Sequence, residues 1–215
     1  MSRAASPGDL VAAARAAGVS DERVLEAIRA TPRAGYVPGG CVTVADRDQP
    51  IPIGHGQVTT QPSLSARMIE GLRLAGGDHV LEIGTGLGFQ TALLARLAVS
   101  VVSIERWPDL AGQARRNLAR QGIRNATVLA GDGSRGLPDR APYDAILVSA
   151  AFPQVPPPLA AQLRVGGRLV QPIGPGGNEQ VVLFERSAAG LQQRQVLTLA
   201  RFVRLHGQYG FPSQS

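Results

Sequence analysis

Residues Val80–Gly88 read VLEIGTGLG, an apolar run of strand character that breaks into glycines at alternate positions, Gly84, Gly86 and Gly88. A second apolar run, Val101–Ile104, is closed by Glu105, about 20 residues on. Glycines between a strand and a helix let the backbone approach a ligand, and the helix that follows turns its N-terminal amides toward it. An acid ending the second strand is placed to accept both hydroxyls of a ribose. The glycines alone would serve equally as a tight βα turn; Glu105 tips the balance to a nucleotide site.

The spacing is GxGxG, because Phe89 stands where the third glycine of the dinucleotide fingerprint would fall, and Glu82 precedes the turn. Such a site suits S-adenosyl-L-methionine better than NAD. Thr85 inside the loop and Arg106 beside Glu105 belong to the same candidate set.

Working outward, residues 9–17 and 21–30 read as two short helices, the second with Ser20 as N-cap and stopped by Pro32. From there to Pro62 the chain is rich in Pro and Gly without periodicity, a long loop of the kind used for binding. Pro62 opens a helix to Leu72 with Leu64, Met68, Ile69 and Leu72 as a core stripe. Strands are expected at 80–83, 101–104, 127–129, 145–148 and 168–171, with helices at 89–98, 108–121 and around 159–163. Strands at 181–185, 191–199 and 202–205 close the chain. The βαβαβ order predicts a mostly parallel, doubly wound α/β sheet of Rossmann-like type, with ligand at the carboxyl ends of its strands. We read residues 1–215 as one domain, with an N-terminal helical and loop segment (1–75), a cofactor core (76–173) and C-terminal strands (174–215).

All 22 basic residues are arginine, so lysine chemistry, pyridoxal phosphate anchoring and a Walker-type loop are excluded. The net charge of +6 comes from arginines spread along the chain without a dense run, which does not predict a nucleic-acid partner. Cys41 is the only cysteine, and His55, His79 and His206 are scattered, so no disulfide framework or metal site is expected. No apolar run is long enough to cross a bilayer, and the N-terminal stretch lacks a signal-type apolar core; a cytoplasmic protein, not membrane-bound and monomeric, is expected.

The polar candidates fall at strand ends along one sheet edge: Glu82 to Gly88, Glu105, Asp132-Gly133 and Ser149-Ala150-Ala151. Asp132 and Gly133 suit an adenine amino group, or Asp132 caps a turn. Glu82 holds the glycine loop through its amides or lies near the sulfonium end of the donor. Upstream, the loop DRDQPIPIGHGQVTTQP ends in Thr59 and Thr60, readable as a helix N-cap, as substrate contacts, or as both. His55 has the chemistry of a general base, but a histidine in a Gly-rich loop is more often a surface residue.

The runs PIPIGHGQVTTQPSLSARM, VLEIGTGLGFQTALLARL, VVSIER, GDGSRGLPDRAPYDAILVSAA and VGGRLVQPIG, in order, closely resemble the protein-L-isoaspartate O-methyltransferases. The resemblance covers about Thr31 to the closing RFVRLHGQYGF. It implies a class I methyltransferase fold, S-adenosyl-L-methionine as donor with S-adenosyl-L-homocysteine as product, no metal, and isoaspartyl proteins or peptides as acceptors. It implies Thr60, where the family carries a serine, as the hydroxyl that orients the acceptor carboxylate, with Thr59 and Gln61 beside it. Phe202-Val203-Arg204-Leu205 matches the family's FVPL-like segment with Arg204 in place of proline, so Val203 and Arg204 are candidate contacts for the peptide backbone or an extra acidic group. Two other functions fit the residues: a carboxyl methyltransferase dedicated to one acidic peptide product, and an RNA-directed or non-catalytic binder of the same nucleotide.

Overall fold

The computed structural model describes residues 6–212. The first five residues, part of the N-terminal stretch considered above, lie outside the described residues. Helices α1 (Pro7–Ala16) and α2 (Glu22–Arg29) lead into the Pro/Gly-rich segment. Asp21, not Ser20, caps α2: its carboxylate accepts the Arg23 amide, while the Ser20 amide turns to Glu70.

A short hairpin, β1 (Pro52–Gly54) and β2 (Gln57–Val58), precedes α3 (Pro62–Leu72). The alternation then runs β3 (His79–Ile83), α4 (Phe89–Ala95), β4 (Ser100–Glu105), α5 (Pro108–Arg120), β5 (Ala126–Ala130), β6 (Tyr143–Val148), α6 (Pro157–Gln162), β7 (Leu163–Ile173), β8 (Glu179–Ser187) and β9 (Gly190–Ala200). The seven-stranded sheet has the order β5-β4-β3-β6-β7-β8-β9. Strands β5 to β7 are parallel, and β8 and β9 are antiparallel additions. The order reverses between β3 and β6, which opens a crevice beyond their carboxyl ends.

Side-chain alternation explains why both faces are covered. Val80, Val101, Val128, Ala145, Leu147 and Val170 belong to one core with residues of α1 to α5. Leu81, Ile83, Val102, Ile104, Ile146 and Val148 share the other core with Leu159 of α6 and with Leu163 and Leu205.

Residues 202–205, expected as a closing strand, make only a single bridge, Ala151 to Arg204. The reason is local. The Phe202 amide is taken by the buried Glu179 carboxylate at 2.8 Å, and Val203 and Leu205 clasp one residue, Ala151, at 2.7 and 2.8 Å.

The segment between Pro32 and Pro62 is ordered by a charge. Arg33 is fully buried, and its guanidinium donates to the carbonyls of Ala45 (3.1 Å), Arg47 (2.9 Å) and Gln49 (2.9 Å) and to the Thr59 hydroxyl (2.8 Å). Asp48 adds a second tie, accepting the Ser63 amide at 2.8 Å and so capping α3 from the loop; neither threonine is the cap. Arg33→Met keeps the chain length but removes every donor. It is expected to lower the unfolding free energy by about 3 kcal/mol and to speed amide exchange across 45–59; an unchanged denaturation midpoint would contradict this account.

Candidate active site

The crevice at the switch point is a cleft of about 880 Å³, counting the space open to solvent. Its floor is the glycine loop. Gly84, Gly86 and Gly88 have φ of +93°, +55° and +95°, a left-handed path that side chains resist. At Gly133, on the next strand end but one, a Cβ would stand 2.4 Å from Ile83. Glycine is therefore required there by packing.

Glu105 ends β4 and is buried, yet lines the cleft. Its carboxylate accepts the Gly86 amide at 2.9 Å and the Trp107 amide at 3.1 Å, which fixes it against the loop and leaves lone pairs for a ligand. Burial pushes its carboxyl above the usual range, against the opposing pull of those amides. Thr85 and Arg106 also line the cleft; the Thr85 hydroxyl bonds Ser103 at 2.5 Å, and the Arg106 guanidinium lies 4.8 Å over the Trp107 ring.

Glu82 is a correction. Its side chain faces the helical side of the sheet, fully buried, and accepts bonds from Gln90 (3.1 Å), Thr91 (2.5 Å) and Ser103 (2.6 Å). It bonds no loop amide and is not part of the cleft lining. Pleating decides this, because Glu82 shares its face with Val80 and lies under the first turn of α4.

Asp132 holds a turn. One oxygen caps the following 3-10 turn by accepting the Ser134 amide at 2.9 Å, and the other accepts the Gln208 amide at 2.8 Å. The turn-capping alternative is the one observed.

A second groove runs beside the cleft, and Val58, Thr59, Thr60, Ser149 and Val203 line both. The Thr60 hydroxyl has no partner among the described residues, whereas the Thr59 oxygen is held by Arg33 and by the Ile51 amide. Gln61 lines the groove, but its amide nitrogen donates to Asp48 at 2.6 Å and so serves the loop. Val203 lies at the junction, and Arg204 donates to the Pro175 carbonyl at 3.2 Å and lies 5.0 Å over the Phe211 ring. His55 does not line the cleft; its ring stacks on Trp107 and its Nε2 is 2.9 Å from Asp109.

Sequence reasoning missed three residues of the cleft. The Tyr36 hydroxyl, Ser65 Oγ and Gln90 Oε1 are buried without a partner, and all three residues line it. Burial pushes the Tyr36 phenol up to about 12. Such atoms signal a polar ligand that completes them. Ser65 and Gln90 lie on helices whose pattern reads as core, so only the fold exposes them.

A left-handed glycine loop, a carboxylate on the neighbouring strand end and orphaned polar atoms in one switch-point cleft define a class I S-adenosylmethionine-dependent methyltransferase. The comparisons sharpen this. Residues 5–210 match the family model described as protein-L-isoaspartate(D-aspartate) O-methyltransferase. The chain is 49% identical over 200 residues to the protein-L-isoaspartate O-methyltransferase of Methanoculleus marisnigri, covering 93% of this chain and 90% of that one. It is 51% identical over 190 residues to that of Anaeromyxobacter dehalogenans, covering 87% and 91%. A solved protein-L-isoaspartate O-methyltransferase superposes with a TM-score of 0.80 at 29% identity, over 95% of this chain and 67% of that one. In fold it also matches a Plasmodium falciparum structure holding S-adenosyl-L-homocysteine, with a TM-score of 0.76 at 21% identity, over 92% of this chain and 96% of that one. The chain belongs to the protein-L-isoaspartate O-methyltransferase family.

Among the described residues, no group of three or more His, Cys, Asp or Glu is placed to hold a metal ion, and no helix is long and apolar enough to cross a membrane.

The Glu82 carboxyl sits at about 7 against its ordinary 4.5, because burial outweighs its hydrogen bonds. The fold therefore binds a proton there that the unfolded chain has released, so stability falls as pH rises from about 4.5 to about 7 and stays lower above. Glu82→Gln keeps the shape without titrating. In urea denaturation across pH it is expected to flatten that slope; an unaltered slope would assign the pH dependence to other groups.

Proposed function

We propose that this enzyme methylates the free carboxylate of L-isoaspartyl residues in proteins or peptides; the adjacent backbone amide nitrogen then attacks the ester, methanol leaves, and water opens the resulting succinimide back toward normal aspartate. Family membership supports the reaction class. The observation that carries the mechanism is the unengaged Thr60 hydroxyl at the junction of cleft and groove.

The cleft residues suit the donor. In this reading the backbone of Gly84, Gly86 and Gly88 with Thr85, Glu105, Arg106 and Gly133 holds the nucleoside, Glu105 taking the ribose hydroxyls. Tyr36, Ser65 and Gln90 meet the polar amino-acid end, and what supports this is their three unpaired buried atoms. When bound, S-adenosyl-L-methionine supplies a methyl group on a cationic sulfur and leaves as S-adenosyl-L-homocysteine.

The chain's own task is placement. A carboxylate is already anionic at neutral pH, so its oxygen can take the methyl group without giving up a proton, and no general base is called for. Thr60 donates to one acceptor oxygen and turns the other toward the cleft, while Val203 bounds the acceptor from the opposite segment. Holding the reactants aligned supplies roughly 7–11 kcal/mol of the barrier. The same proposal has the enzyme working as a cytoplasmic monomer on peptides, not nucleic acid; the groove, with Leu64, Leu199 and Phe202 beside its polar end, suits an extended chain.

An isoaspartyl peptide assayed beside its aspartyl twin should be methylated while the twin is not; equal labelling of both would sink the assignment. Thr60→Ala should lower kcat about 10- to 100-fold with donor affinity little changed, and Thr60→Ser should retain turnover. Glu105→Ala should weaken S-adenosyl-L-homocysteine binding by about 10- to 100-fold in calorimetry. Loss of turnover in Thr60→Ala caused wholly by lost donor binding would remove Thr60 from the acceptor.

A further inference from the structure

The hairpin β1–β2 roofs the donor cleft. Ile53, Gln57 and Val58 line the cleft, and the Ile53 side chain packs so close that a Cβ on Gly86 would meet it at 3.3 Å. The base of the hairpin is fixed: Ile51 is buried with Val37 and Ala45, and the Thr59 amide donates to the Ile51 carbonyl at 2.8 Å. Its tip, Gly54-His55-Gly56, turns through φ of +100°, +52° and +66°. A histidine in that left-handed conformation is strained, and an interaction of its ring must offset the strain.

That interaction lies on the far bank. The His55 ring stacks on Trp107 with centroids 4.0 Å apart and planes within 9°, and Nε2 reaches Asp109 at 2.9 Å. Arg106 covers Trp107 at 4.8 Å. Trp107 is also the residue whose amide holds Glu105, so the tip closes on the turn that carries the ribose-side carboxylate.

We propose that His55 is a positioning residue for the donor: through its stack on Trp107 and its pair with Asp109 it latches the β1–β2 hairpin over the bound nucleotide and sets how fast the product nucleotide leaves. A ligand seated against Gly86 and Glu105 lies beneath Ile53, Gln57 and Val58, so release requires the tip to lift from Trp107. The tie between Thr59 and Ile51 at the base keeps Thr60 in place while the tip moves.

The inference rests on the cleft taking the donor, not on which carboxylate is methylated. Trp107 is the only tryptophan, so its emission reports the latch without a label. In stopped-flow displacement of S-adenosyl-L-homocysteine, His55→Ala should change the Trp107 emission and speed dissociation roughly two- to tenfold, the size of an aromatic stack with an exposed hydrogen bond. His55→Phe, which keeps a ring without the ring nitrogens, should recover most of the residence time, and Asp109→Asn should speed release by less than His55→Ala. In steady state the donor KM should rise in His55→Ala while kcat holds or rises. Emission identical to wild type in His55→Ala would mean that the stack is not formed in solution. Altered emission with an unchanged dissociation rate would mean that the hairpin is no latch. Either result overturns the proposal, and neither depends on the identity of the acceptor peptide.

Discussion

The fully buried guanidinium of Arg33 is the constraint on which the reactive half of the site depends. Between a short 3-10 helix and the β1–β2 hairpin, residues 45–49 belong to no helix or strand, so their backbone carbonyls have few partners of their own. One planar cation with donors in a fixed fork gathers three of those carbonyls and the Thr59 hydroxyl. Burial lowers its pKa to about 10, opposed by Asp48 and Asp46, which still leaves it charged at neutral pH. A lysine has no such fork. The cost of desolvating the charge is offset by several charge-assisted bonds at once, and the outcome is a rigid lead-in to Thr60.

Two buried glutamates show how a strand end divides structure from ligand contact. Glu82 and Glu105 both stand near the carboxyl ends of neighbouring parallel strands, and both are pushed upward by burial. The pleat turns Glu82 under α4, where three side chains enclose it and pin the helix that follows the glycine loop. Glu105 is the last residue of its strand, so only backbone amides reach it and its open side faces the cleft. The first carboxyl pins the helix behind the loop, and the second stays open to the cleft.

The sheet was legible because parallel strands buried on both faces are written as unbroken apolar runs, and Pro62, Pro108 and the glycines punctuate them. Helix α3 begins and ends as Pro62 and Leu72 announce. What failed was decided by distant partners. Residues 202–205 are apolar enough for a strand, but a carboxylate from β8 takes the first amide. Asp132 reads as a ligand or as a turn cap, and only the fold brings the Gln208 amide onto it. Arg33 is one arginine among 22 until the fold closes around it. Tyr36, Ser65 and Gln90 are likewise polar residues whose missing partners can be noticed only once everything else is paired.

Threonine at position 60 follows from the same economy of motion. A β-branched side chain is restricted at χ1, so fewer hydroxyl directions are open to it than to a serine. Here its backbone is fixed on one side by Thr59, held to Arg33, and on the other by Gln61, tied to Asp48. A serine in this place would keep more rotamers and lose more entropy on engaging a carboxylate. In the proposed role, a hydroxyl aimed before the acceptor arrives is help that a reaction without proton transfer can use, because alignment lowers its barrier.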